Sequence, residues 1–170
     1  VNKESDMVAP TYENVLEAAV RSDGFAVKTP LLRSAALDEI AGTELHFKAE
    51  CLQHVGAFKY RGARNRLSAM SEAEKAKGVV AFSSGNHAQG VARAAKELGI
   101  DAIIVMPADA PQIKVDGVLR DGATIVEYDR LTQSREDIAA DIAKRDGRTL
   151  VPSYDDPFII AGQAFDALVT

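Results

Sequence analysis

Four short apolar runs, beginning near residues 79, 102, 123 and 149, recur at intervals of 23, 21 and 26 residues. An interval of that size holds one strand and one crossover helix, and it is too long for a hairpin. The strands are therefore expected to be parallel, with helices covering the sheet. The segments between them carry helix signals. Ser71-Glu72-Ala73-Glu74 is a capping box and Gly78 a stop. Ala88, Val91, Ala92 and Ala95 follow i, i+3, i+4, i+7 spacing ahead of Gly99. A Pro-flanked loop precedes a helix ending near Asp121, and Ser134 opens another with Ile138, Ala139, Ile142 and Ala143 on one face before Gly147. The first 70 residues read differently. They hold a helix from about Thr11 to Arg21, an extended Thr29–Leu32, and a helix near Ser34 to Ala41. A strand from Glu44 to Ala49 and a helix from near Phe58, with Ala63, Leu67 and Met70 on its apolar face, complete that half. The class is α/β: open, mainly parallel twisted sheets with helices on both faces.

Bulk properties narrow the partners. Among 170 residues, 46% are hydrophobic and 26% charged, as in ordinary globular proteins. The formal net charge is -5, with both signs interspersed, which argues against a nucleic-acid or anionic-membrane surface. No apolar run reaches the roughly 20 residues of a membrane span. The start, VNKESDMVAP, does not read as a signal peptide. The single cysteine, Cys51, leaves no internal disulfide and fits a reducing compartment. A cytoplasmic protein is expected.

Two strand-to-helix junctions carry chemistry, because ligands of open α/β sheets sit outside the carboxyl ends of strands. The first is Gly56-Ala57-Phe58-Lys59-Tyr60-Arg61-Gly62. Lys59 falls in the first turn of a helix, where the partly positive terminus disfavours an ammonium. An ordinary solvated lysine is one reading; an amine available as a nucleophile toward a carbonyl is the other. The second is Ser83-Ser84-Gly85-Asn86-His87. It opens a helix directly after a strand, so its free N–H groups can face a carboxylate or phosphate. An elaborate N-cap explains the same residues without a ligand, and His87 alone reads as readily as a packed histidine.

Together these loops resemble those of the pyridoxal-phosphate enzymes of tryptophan-synthase β-like fold, specifically the serine/threonine dehydratase and serine racemase group. Thr29-Pro30-Leu31, Met106-Pro107-Ala108-Asp109-Ala110-Pro111 and Ile160-Ala161-Gly162-Gln163 extend the resemblance over nearly the whole chain. It implies that Lys59 forms the internal aldimine with pyridoxal 5'-phosphate and then serves as the base at Cα. It implies further that Phe58 lies against the pyridine ring and that Asn86 bonds the ring hydroxyl. Ser83, Ser84, Gly85, Asn86 and His87 would hold the substrate carboxylate, and Ser84 is where a racemase of the group has its second acid/base. The implied reaction is α,β-elimination from a small hydroxy amino acid such as threonine or serine, giving a 2-oxo acid and ammonia. A 3-hydroxyaspartate dehydratase and a serine or aspartate racemase are the near alternatives. The implied organisation has residues 1–71 and 153–170 in a large cofactor domain, with 72–152 inserted as a small one. The complete protein is expected to be a homo-oligomer acting on a small amino acid.

The chain departs from the group's pattern in places. Ala57 stands where the group usually has Ser. The glycine-rich loop that cradles the cofactor phosphate, the hydroxyl facing the pyridine nitrogen, and the acidic residues that bind a divalent cation in many members are not in this sequence. A chain ending at Thr170 is expected to bind the cofactor weakly. Gln163-Ala164 reads as a junction across missing residues, followed by a strand from Phe165 to Val169. Other chemistries find less support. Ser84 lacks the glycine two residues earlier that a nucleophile elbow needs, and no Gly-x-Gly-x-x-Gly is present. His46, His54 and His87 have no metal-ligand spacing, and His46 is expected on a strand face. Tyr154, Asp155 and Asp156 read as a solvated loop and Arg135 as helix-terminal surface, with substrate contact the alternative for each. A cofactor-free anion-binding module is the reading from a different class.

Overall fold

The computed structural model describes residues 8–168. Helix α1 (Tyr12–Ser22) begins at a Thr11–Asn14 capping box. A ribbon of β1 (Leu31–Leu32) and β2 (Phe47–Lys48) flanks α2 (Ala35–Ala41). Two short 3-10 turns, Glu50–Leu52 and His54–Gly56, lead into α3 (Lys59–Ser68). Then follow α4 (Glu72–Lys77), β3 (Val79–Phe82), α5 (Asn86–Leu98), β4 (Ala102–Pro107) and α6 (Gln112–Arg120). The chain continues through β5 (Thr124–Tyr128), α7 (Arg135–Asp146), β6 (Thr149–Leu150) and α8 (Pro157–Ala164).

The four strands after residue 78 form one parallel sheet in the order β5-β4-β3-β6. Both faces are covered, which is why the central strands β3 and β4 are apolar throughout instead of alternating, while the edge strand β5 keeps Thr124 and Glu127 exposed. Val79, Ala81, Ile104 and Met106 pack with Ala88, Val91, Ala92 and Ala95 of α5. Val80, Val105 and Tyr128 on the other face pack with Ala139 and Ile142 of α7. The chain leaves β3 toward β4 and β5, then recrosses through α7 to set β6 on the opposite side of β3. The switch in topology therefore falls between the carboxyl ends of β3 and β6.

Helix α3 is buried on nearly every side although its sequence, KYRGARNRLS, is polar. It lies between α5 and α8, where glycines permit close approach. A Cβ on Gly90 would sit 3.2 Å from the Lys59 carbonyl, and one on Gly162 would lie 2.8 Å from the Arg61 carbonyl and 2.7 Å from Asn65 Cβ. Several polar side chains of α3 have partners, whereas Arg64 stacks over the Phe25 ring at 3.7 Å, with Nε and Nη1 left without hydrogen bonds among the described residues. The Arg61 guanidinium, 1% exposed, pairs with Glu50 at 2.7 and 2.8 Å and donates to the Val27 carbonyl at 3.0 Å. Tyr60 donates to Glu97 of α5 at 2.6 Å, and Arg66 pairs with Asp156, the N-cap of α8, at 2.9 Å.

Two expectations are corrected. The strand expected over Glu44–Ala49 shrinks to Phe47–Lys48. Asp38 of α2 captures the Leu45 N–H at 2.7 Å, so 44–45 turn toward that helix, and β1 offers only two residues to pair with. His46 consequently precedes the strand, exposed and 3.7 Å from Glu44. The strand expected from Phe165 to Val169 is instead a 3-10 turn over Phe165–Leu168 that continues from α8; Val169 lies outside the described residues. Phe165 packs with Ala18 of α1 and Ala161 of α8. No helix among the described residues is long and apolar enough to cross a membrane.

The glycine crossings give a direct test. Gly162→Ala should destabilise the fold by about 1–3 kcal/mol through overpacking, despite alanine's better helix propensity. A lower urea midpoint at unchanged m-value checks this.

Candidate functional site

The approach to Lys59 is a tight left-handed turn. Val55 (φ 58°) and Gly56 (φ 68°) are consecutive positive-φ residues. That conformation is strained for a β-branched side chain, and Val55 is held there by packing against the main core. Ala57 is then extended and buried, Phe58 is the N-cap, and Lys59 is the first residue of α3. The Lys59 side chain crosses the switch point and donates from Nζ to the Ser153 carbonyl, just beyond β6, at 2.8 Å. Burial holds its pKa below the ordinary lysine value, so more of it is neutral amine than in an exposed lysine. The Phe58 ring, partly exposed, lies 5.2 Å from the same nitrogen.

The second junction meets this lysine from β3. Ser83 N–H continues the sheet by donating to the Val105 carbonyl at 3.1 Å, and Ser83 Oγ accepts from Gly85 N–H at 3.2 Å. Ser84 is half-buried between them. A Cβ on Gly85 would meet nothing within 4 Å, so the loop faces open space there. The N–H groups of Asn86, His87 and Ala88, in the first turn of α5, have no intrahelical acceptor. Asn86 Oδ1 accepts from Lys114 Nζ of α6 at 2.7 Å, which leaves the amide's N–H groups as its free face. This edge of the site thus presents hydrogen-bond donors, the chemistry that receives a carboxylate or a phenolate oxygen.

His87 is placed differently from its loop neighbours. Its imidazole is 3% exposed, and Nε2 lies 3.1 Å from the Val151 carbonyl. Burial lowers its pKa to about 4, and the nearby charge of Lys59 acts in the same direction. The ring is therefore neutral near pH 7, and what residue 87 offers an anion is its backbone N–H.

The other candidates fall elsewhere. Asp156 caps α8 and pairs with Arg66, Tyr154 is exposed, and Asp155 adopts φ 54° in the loop. His54 bonds the Phe25 carbonyl at 2.9 Å and sits edge-on to Tyr60. Arg135 lies over the Phe82 ring at 5.3 Å, one residue before the Ser83 loop. Among the described residues no group of three or more His, Cys, Asp or Glu is placed to hold a metal. A cavity of about 280 Å³ lined by Ala108, Asp109 and Tyr128–Leu131 lies at the ends of β4 and β5 and includes neither junction. Sequence reasoning missed the Val151 and Ser153 carbonyls and Lys114. The strand ending at Leu150 was the available signal for the carbonyls, since the switch-point rule applies to both strands flanking the crevice.

Comparisons with known proteins bear on the family and the fold. The family described as "Pyridoxal-phosphate dependent enzyme" matches residues 23–166. An L-threo-3-hydroxyaspartate ammonia-lyase from Pseudomonas sp is 51% identical over 157 residues, 92% of this chain and 49% of the relative. A serine racemase from Schizosaccharomyces pombe is 47% identical over 158 residues, 93% of this chain and 49% of that protein. The structure of maize serine racemase superimposes with a TM-score of 0.91 at 38% identity, covering 95% of this chain and 49% of that one. The chain thus spans about half the length of the relatives it matches. Its motifs, its fold and its sequence agree: the chain belongs to the pyridoxal-phosphate-dependent enzyme family.

Proposed function

We propose that the protein carrying this chain is a pyridoxal-phosphate-dependent ammonia-lyase that dehydrates a small β-hydroxy amino acid, with 3-hydroxyaspartate ahead of serine and threonine. The observation that carries the reading is the desolvated Lys59 amine at the switch point, facing a helix terminus made of donors. The residues present fit the cofactor. Lys59 would hold it covalently through Nζ, Phe58 would flank the ring, and Asn86, with Oδ1 engaged by Lys114, would donate to the ring hydroxyl. When bound, pyridoxal phosphate supplies an electron sink for the negative charge that develops at Cα.

The chain's own groups account for the rest of the reaction. Ser83, Ser84, Gly85 and the N–H groups of Asn86 and His87 orient the substrate carboxylate. Lys59 would take the proton from the substrate Cα, and burial, which lowers its pKa from the ordinary lysine value, raises the share of neutral amine available for that role. Loss of the β-hydroxyl as water leaves an enamine, whose tautomer hydrolyses to a 2-oxo acid and ammonia. Ser84 would be the proton donor on the opposite face if the protein racemises its substrate. Residues 72–152 act as a small inserted domain whose closure excludes water. The preference for 3-hydroxyaspartate draws on the 51% identical ammonia-lyase. It also draws on Arg135, a cation stacked on Phe82 just before the Ser83 loop and paired with Glu136 at 2.8 Å, as a group that a second substrate carboxylate would engage.

Borohydride reduction in the presence of pyridoxal phosphate should label Lys59, and Lys59→Ala should lose the label and at least about 10²-fold in ammonia release. An unlabelled wild-type protein would favour the cofactor-free anion-binding alternative. Arg135→Met should raise KM for 3-hydroxyaspartate about 10–100-fold, as expected for a lost bond to a charged group of about 1.5–3 kcal/mol, and leave KM for serine nearly unchanged. Equal effects on both substrates would remove Arg135 from substrate recognition.

A further inference from the structure

We propose that His87 is a positioning residue, a neutral strut that joins the loop after β3 to the backbone after β6 and so keeps the Ser153 carbonyl in place for Lys59. The Val151 carbonyl can only accept, so the His87 nitrogen facing it, Nε2, carries the proton. His87 Nδ1 is buried with no partner among the described residues, and no acceptor waits there for a second proton. Lys59 is the charged group the imidazole feels, and it further opposes protonation. The ring is thus locked as one neutral tautomer and is neither a carboxylate ligand nor a proton shuttle at neutral pH.

The strut bears on the lysine through very little chain. Val151, fully buried, gives its N–H to the Val80 carbonyl at 2.9 Å and its carbonyl to His87. Ser153, two residues on, accepts from Lys59. Only Pro152 lies between, with its φ held by the ring. Releasing the Val151 carbonyl therefore releases the acceptor of the lysine as well. Gly90, one helical turn beyond Asn86, packs on the Lys59 carbonyl, so α5 bears on both ends of the lysine residue.

The inference rests on the reading of Lys59 as the cofactor lysine, but its first test needs no cofactor. Imidazole ¹⁵N NMR of the wild-type chain should show the Nε2–H tautomer with no titration between about pH 5 and 8, the range where an unperturbed histidine changes charge. An Nδ1–H tautomer, or a titrating ring, overturns the strut. The second test uses the holoenzyme and three variants. His87→Gln sets an amide N–H near the former Nε2 position and should retain kcat within a few fold. His87→Asn reaches only as far as Nδ1, and His87→Leu has no donor. Both should lose about tenfold or more in kcat, with KM little changed, because a buried acceptor is left without its partner. A Gln variant that folds but is as impaired as Leu, or a loss expressed in KM, overturns the proposal. If Asn and Leu fail to fold, the tautomer and the Gln variant still decide. If wild-type Lys59 is not labelled by pyridoxal phosphate, the functional reading fails while the NMR result continues to judge the strut.

Discussion

The Arg61–Glu50 pair is the interaction on which the rest of this half of the molecule depends. A guanidinium 1% exposed is tolerable only when its donors are filled, and here the 3-10 turn at Glu50, the Val27 carbonyl and Thr29 fill them. Two segments, around Val27–Thr29 and at Glu50, are thereby fastened to α3, two residues past Lys59. Burial pushes the Glu50 carboxyl up, but its bonds from Arg61 and Thr29 outweigh that and hold it below the usual range. Asp166, 3.4 Å from Arg61, goes the other way, raised by burial and by the Glu50 charge. One ionised carboxylate is committed to Arg61, and the second is discouraged from competing for it.

With α3 fixed, the site follows from sheet topology. The strand order makes β3 and β6 neighbours although α5, β4, α6, β5 and α7 separate them in sequence. Their carboxyl ends define a crevice whose two lips are a donor-rich helix terminus and a stretch of backbone carbonyls. Lys59 and His87 come from different helices and both spend a nitrogen on that carbonyl stretch. Among the described residues no anion pairs with the lysine, so burial acts on its charge with a neutral carbonyl as its acceptor.

How much of this was legible depends on range. The strand spacing and the caps at Ser71, Ser134 and Gly99 were readable because each signal is local, and they sit where the pattern put them. The two junctions were readable because their side chains are chemically distinctive. The polar sequence of α3 was not, since an arginine or asparagine looks exposed until its partners arrive from residues 21, 50 or 158. Backbone acceptors such as Ser153 O leave no mark in a side-chain pattern at all. The shortened β2 and the 3-10 turn at Phe165 are tertiary overrides of propensity, set by what lay alongside to pair with.

The lysine tether also orders events in time. Lys59 and Ser153 are 94 positions apart, and His87 and Val151 are 64 apart, so neither bond can form from local structure alone. The helices and the β3–β4–β5 strands can assemble with modest loop closure, but the carbonyl stretch arrives only when β6 docks against β3 and closes the longest loops. Until then Lys59 lacks both its carbonyl partner and the burial that lowers its pKa, so the environment of this amine is set by the long-range closure and not by its own helix.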